Sequence, residues 1–170
     1  SSDSFLFLSQ HKYDSGVWSR QTQLNIVELL EQVDEHHTVT VRPHPKETDE
    51  KIEEFYGDFN ISEGASLYED ICSHDIITTI NSTAIFKAVI QGKPCGTLQL
   101  PALSNRQASF THDHILQIDS DSTKLDSDVD ERGYDTQRDY LRQFCFMPEI
   151  EDNAYPNSTR LISSRIEEYT

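Results

Sequence analysis

The sequence predicts an α/β fold built on a doubly wound parallel sheet. Three observations carry that expectation. Short apolar or β-branched runs alternate with stretches whose apolar residues recur at helical spacing. Glycine and proline punctuate the joins. Each strand-like run also ends in a polar or turn-rich segment, as strands do where an open α/β sheet meets its ligand.

The elements follow in order. Residues 5–8, Phe-Leu-Phe-Leu, are a short apolar strand. From about Gln21 to Val33, Ile26, Leu29, Leu30 and Val33 line one helical stripe. His36-His37 falls in the turn that follows, and Thr38–Arg42 is a β-branched strand. Ile52, Phe55, Tyr56 and Phe59 repeat the helical spacing, with Thr48 or Asp49 as the cap and acidic residues in the first turn. Phe59–Ser62 is a third strand. Leu67, Tyr68, Ile71 and Cys72 mark a brief helix. Ile76–Ile80 reads as a buried central strand. Ser82–Ile90 is a helix stopped by Gln91-Gly92-Lys93-Pro94, and Cys95–Leu98 is a fifth strand. Ile115–Ile118 is expected as the last strand, with helices over Asp135–Cys145 and Leu161–Tyr169. Strands alternating with helices in this way imply parallel pairing through crossovers. Residues 1–170 form one expected domain, with an irregular acidic loop at about 119–135 and C-terminal helices at about 135–170.

Composition narrows the function. The 170 residues suffice for one domain with a real core, and 35% of them are hydrophobic. The formal net charge of −16 argues against nucleic-acid binding and against anionic membrane surfaces. No apolar run approaches the roughly 20 residues needed to span a bilayer. Phe5-Leu6-Phe7-Leu8 is too short for a signal peptide and follows an acidic start. The opening Ser1-Ser2-Asp3 lacks a Met, as a fragment or processed chain would. Cys72, Cys95 and Cys145 are widely spaced, which fits a reduced, cytoplasmic setting with each thiol in the core.

Several chemistries find no support. The acidic stretch Asp126-Ser127-Asp128-Val129-Asp130-Glu131 lacks an EF-hand glycine, since Gly133 is misplaced. His112-Asp113-His114 has no third metal ligand, and neither metal nor cofactor is expected. Glycine-rich nucleotide loops and a nucleophile elbow are absent.

The strand ends are more informative. Ser9-Gln10-His11 follows the first strand, Pro43-His44-Pro45 the second, Glu63-Gly64 the third and Asn81-Ser82-Thr83 the fourth. If the strands are parallel, these segments converge on one edge. The flanking prolines stiffen the backbone around His44 and aim its imidazole. Arg42 and Lys46 add positive charge, unless Glu47 or Asp49 neutralises it at the surface. Asn81, Ser82 and Thr83 would open a helix whose N–H groups face an anion, although Ser or Thr there is also an ordinary cap.

VRPHPKE (residues 41–47) and LYEDICSHDIITTINSTAIFKAVIQGKPCGTL (residues 67–98) together resemble the C-terminal nucleotide-sugar-binding half of GT-B glycosyltransferases. The likeness is strongest to the capsule polysaccharide synthesis and CDP-glycerol glycerophosphotransferase group, with bacterial sialyltransferases related in motif. Its marks are the His-Pro pair, the His74-Asp75 pair before a strand ending in Ser/Thr, and the Gly92-Lys93-Pro94 turn. FLFLSQ (residues 5–10) with Asp14, and residues 140–169, extend it. The resemblance implies a Rossmann-like half domain that binds a CMP-, CDP- or related nucleotide-sugar in surface polysaccharide synthesis. It implies donor contacts at His44, Ser82 and Thr83, and a nucleoside-side loop at Glu63. Arg42, Lys46, Asn81, Ser9 and Gln10 complete the expected substrate-binding set. The resemblance places the catalytic base in an N-terminal acceptor half or a partner chain, the only parts through which peripheral membrane association would arise. The isolated chain is then inactive. The alternatives are a non-catalytic binding or scaffold module of the same fold and an epimerase-like enzyme acting on UDP-sugars.

Overall fold

The computed structural model describes residues 3–103 and 116–120. Six strands form one sheet: β1 (Ser4–Leu8), β2 (Thr38–Arg42), β3 (Asn60–Ile61), β4 (Ile76–Thr79), β5 (Cys95–Leu98) and β6 (Leu116–Ile118). Their order is β3-β2-β1-β4-β5-β6 and every pair is parallel. Helices α1 (Arg20–Asp34), α2 (Asp49–Tyr56), α3 (Leu67–Ser73) and α4 (Ile85–Ile90) connect the strands. The chain runs outward from β1 to β3, then returns to β4 on the other side of β1. The topological switch point therefore lies between β1 and β4.

The two-residue alternation of a strand explains the layers. In β1, Phe5 and Phe7 join Ile26, Leu29, Leu30, Val33, Phe55 and Tyr56 in one core cluster. Leu6 and Leu8 point the other way and pack with Ile71, Ile85, Ala88 and Val89. Helices α1 and α2 thus cover one face, and α3 and α4 the other. A strand buried on both faces must be apolar throughout, which is why residues 5–8 show no polar alternation.

Local chemistry sets the helix ends. Ser19 caps α1 by accepting from the Thr22 N–H at 3.1 Å. Thr48, rather than Asp49, caps α2, with Asp49 and Glu50 in its first turn. Ser66 caps α3. Helix α4 ends in a Schellman motif: Gly92, at φ 70°, donates to Val89 O and Lys93 N–H donates to Ala88 O. The His74-Asp75 and Lys93-Pro94 segments lie at the amino ends of β4 and β5. There Asp75 accepts from the Ser4 N–H at 2.9 Å and the Ser4 hydroxyl at 2.7 Å, which hold its carboxyl below the usual range. Lys93 Nζ bonds the carbonyls of Cys72 and His74 at 2.9 and 2.7 Å.

Several expectations need correction. Helix α4 starts at Ile85 rather than Ser82, because Ser82, Thr83 and Ala84 form tight turns in which the N–H groups of Ile85 and Phe86 bond the carbonyls of Ser82 and Thr83. Residue Cys72 is exposed, its Sγ 3.4 Å from Gln91 Oε1, whereas Cys95 is buried. Phe59 lies beyond α2, and the third strand shortens to two residues. His112-Asp113-His114, Cys145, the acidic run from residue 121 and the C-terminal helices lie outside the described residues. Among the described residues no helix is long and apolar enough to cross a membrane.

The double coverage of β1 has a measurable consequence. Leu6 is fully buried, so Leu6→Ala is expected to cost roughly 2–5 kcal/mol in urea unfolding. Leu24→Ala on the solvent side of α1, where Leu24 is 37% exposed, should change stability by about 0.5 kcal/mol or less. Equal small losses would mean that the α3–α4 layer does not cover the sheet.

Candidate functional site

The carboxyl edge of the sheet carries the loops after β1, β2, β3 and β4. The first two are bound into one unit. Ser9 N–H continues the β1–β2 ladder by donating to Arg42 O at 3.0 Å. The turn after β2 closes through Glu47 N–H and His44 O at 2.8 Å, and the Glu47 carboxylate folds back over it. One oxygen accepts from the His44 N–H at 2.6 Å, and the other accepts from the Ser9 hydroxyl at 2.8 Å.

Donor counting gives this network a direction. The Ser9 proton is committed to Glu47, so the 3.1 Å contact between Ser9 Oγ and Tyr56 OH has the tyrosine as donor. Tyr56 in turn accepts from Gln23 Nε2 at 2.6 Å. A chain of bonds thus runs Gln23 → Tyr56 → Ser9 → Glu47, from the helix layer to the loop. Burial pushes the Tyr56 hydroxyl up to about 12, so it stays protonated and can donate. Burial also raises the Glu47 carboxyl above its usual value, against the lowering pull of the His44 N–H and the Ser9 hydroxyl.

His44 is held at both ends. Its backbone N–H is fixed by Glu47, and its ring Nδ1 accepts from the Lys46 N–H at 3.2 Å. An accepting Nδ1 carries no proton, so in the neutral ring the proton sits on Nε2 and is available for donation. Lys46 is exposed on the same turn.

The remaining expected residues divide into two groups. Arg42 is committed to the protein: its guanidinium pairs with Asp70 and reaches Gly64 O at 3.3 Å. Its partner is Asp70 of α3, not Glu47 or Asp49. The Ser62 hydroxyl bonds the same carboxylate. Gln10 is buried, and its side-chain carbonyl accepts the Asn81 N–H at 3.1 Å, bridging the switch point between β1 and β4. Ser9 and Gln10 therefore support the edge. Asn81 Oδ1 is buried without a protein partner among the described residues. Ser82 Oγ accepts from Ala84 N–H at 3.2 Å, and Thr83 and Glu63 are exposed.

Sequence reasoning did not find Glu47, Tyr56, Gln23 or Asp70. Glu47 stood in the quoted loop, yet its role depends on the turn folding back onto Ser9. Tyr56 and Gln23 are signalled only as polar atoms on otherwise core-facing helix positions.

Two outcomes test this geometry. A Cβ on Gly64 would collide with the Asp70 carboxylate, so Gly64→Ala should cost about 1–3 kcal/mol. In the Asp70→Ala background the same change should cost far less, a coupling that a double-mutant cycle reads directly. Glu47 should titrate above 4.5 by carboxyl NMR. A raised folded-state value means that the folded protein holds this proton more tightly. The stability from it is present below 4.5 and is lost as pH rises through the folded value. A midpoint below 4.5 would show that the two hydrogen bonds outweigh desolvation.

No protein-family profile and no curated protein matches the chain. Solved structures do. The spinosyn forosaminyltransferase SpnP aligns with a TM-score of 0.52 at 19% identity, covering 99% of this chain and 44% of that one. The wall teichoic acid polymerase TagF, soaked with CDPG, aligns with a TM-score of 0.54 at 13% identity, covering 99% of this chain and 43% of that one. The chain spans less than half the length of each. At these identities the likeness is one of fold: the chain has a Rossmann-like α/β fold similar to part of each of these two structures.

Proposed function

We propose that this chain is the donor-binding domain of a glycosyltransferase or glycerophosphotransferase of surface polysaccharide synthesis, taking a CMP- or CDP-linked donor. The observation that carries the reading is His44, whose backbone and Nδ1 are both fixed so that Nε2–H is left to meet a ligand at the carboxyl edge. His44 follows β2 and Ser82 follows β4, and β1 alone separates those strands. Two strand spacings are about 10 Å, within the span of a nucleotide diphosphate and its neighbours. On this reading His44 donates to a donor phosphate, and Ser82 and Thr83 meet it from the other side. The exposed Lys46 adds charge.

The reaction forms a bond from an acceptor oxygen to the donor's anomeric carbon or phosphorus. The bond from that atom to the nucleotide phosphate breaks, and the phosphate leaves with the electron pair. The hydrogen bond from His44 strengthens as this charge develops. The acceptor's proton passes to a base supplied by another domain or partner chain, as does the acceptor site. A second reading, a non-catalytic module of the same fold, is favoured by one observation: Arg42, Ser9 and Gln10 are all spent on protein partners.

Calorimetry with CDP and CMP separates them. His44→Ala is expected to weaken CDP about 10-fold or more. Ser82→Ala should weaken it less, because backbone N–H groups remain. Wild-type affinity in a His44→Ala protein with unchanged circular dichroism would reduce His44 to a turn residue. A wild-type chain that binds no nucleotide would favour the module.

A further inference from the structure

The loop after β1 holds a residue to which the preceding reading gives no role. The ring of His11 lies 6.0 Å from that of His44, centroid to centroid, with an interplanar angle of 30°. The two imidazoles come from adjacent strand ends, β1 and β2. His11 follows Gln10, which bridges to Asn81, so it stands between His44 and the switch point. Its own carboxylate neighbour, Asp14, is 3.6 Å from Nε2, longer than a hydrogen bond.

The loop that carries this ring has a fixed backbone. Val17 and Trp18 N–H both bond Lys12 O, at 2.8 and 3.0 Å, and Ser15 Oγ bonds His11 O at 2.8 Å. Trp18 is buried in the core, and Tyr13 packs edge-on to Phe55 at 5.0 Å. A loop spanning residues 9–19 is thereby anchored at both ends and at its middle. Rigid presentation is what a binding group needs, and a mere surface histidine does not need it.

The geometry points to His11 as a second phosphate-contacting residue, forming with His44 a two-imidazole cradle for one phosphate group of the ligand. Each N–H···O bond is about 2.9 Å long, so two rings at this separation reach the oxygens of a single tetrahedral phosphate. Asp14, at 3.6 Å from His11 Nε2, leaves that nitrogen without a hydrogen bond to the protein among the described residues. This inference rests on the donor-phosphate reading, but it makes a separate claim about which side chains hold the anion.

The test titrates CDP, inorganic pyrophosphate and cytidine into the full chain, its His11→Phe variant and its His44→Ala variant. Phenylalanine keeps a flat ring and removes the nitrogens. Each substitution should weaken both CDP and pyrophosphate about 10-fold and leave cytidine unchanged. In the wild-type chain, the ring nitrogen signals of both His11 and His44 should move on adding pyrophosphate, a readout that needs no variant to fold. If His44→Ala weakens CDP while His11→Phe does not, the cradle is wrong and the donor reading stands. If pyrophosphate needs both rings but CDP binds no tighter than pyrophosphate, the cradle stands and the nucleotide reading falls. If pyrophosphate and CDP leave both rings unmoved, both fall.

Discussion

Everything at the carboxyl edge depends on β1 being buried on both faces. With β2 on one side, β4 on the other and a helix layer above and below, this strand has no solvent face. Its four apolar residues are fixed by that demand. The strand then has to leave the core at Leu8, and the next two residues, Ser9 and Gln10, are polar and still buried. A buried hydroxyl or amide without a partner costs about 1–3 kcal/mol. The loops that follow β2 and β4 supply those partners. Glu47 folds back to take the Ser9 proton, and Asn81 offers its N–H to Gln10. The shape of the site is thus a by-product of satisfying the two residues that terminate the central strand.

The same reasoning explains why the ordered chain from Gln23 to Glu47 carries more than its individual bonds. Hydrogen bonds in series polarise one another in a low-dielectric interior. Burial keeps the Tyr56 proton in place, so the chain cannot reverse by ionising there. Glu47, with its carboxyl raised by burial, is the end of the chain nearest the ligand face and the one whose charge responds to pH. Losing that charge weakens the acceptor that fixes the His44 N–H. Folding and site geometry are therefore coupled through one carboxylate.

Much of this was legible beforehand, for physical reasons that can be named. The six strands and their parallel pairing follow from short apolar runs separated by helical stripes, whereas their order, β3-β2-β1-β4-β5-β6, had no signal in the sequence. The His-Pro turn was legible because proline restricts the backbone wherever it occurs. Less legible were contacts between elements distant in sequence. Arg42 looked like a cation available to an anion, yet Asp70, 28 positions away, takes it. Ser82 looked like a helix cap, yet tight turns delay α4 to Ile85, and no local signal separates those outcomes. The His74-Asp75 and Gly92-Lys93-Pro94 motifs carried much of the family resemblance, but they lie at the amino edge. There they join Ser4, Cys72 and the ends of the helices. They report the fold and have no part in the site.

That separation bears on how an acidic chain could attract the anion of the proposed reading. With a formal charge of −16, the field of the whole molecule repels phosphate. Screening limits that field to about 8 Å at physiological salt, so short-range donors decide the outcome. Several nearby cations are already neutralised: Arg20 and Lys51 share Glu54, and Arg42 is paired with Asp70. Among the described residues the carboxyl edge still offers Lys12 and the exposed Lys46, the Nε2–H of His44 and the ring of His11 beside it. Oriented hydrogen-bond donors keep their value in a negative field better than a diffuse patch of lysines would, because their contribution comes at contact distance. A site of this composition also discriminates against bulk anions that cannot meet several donors at once. On the proposed reading the acidic surface and the histidine-lined edge work together, one excluding weak anions and the other admitting a ligand whose phosphate fits the donors.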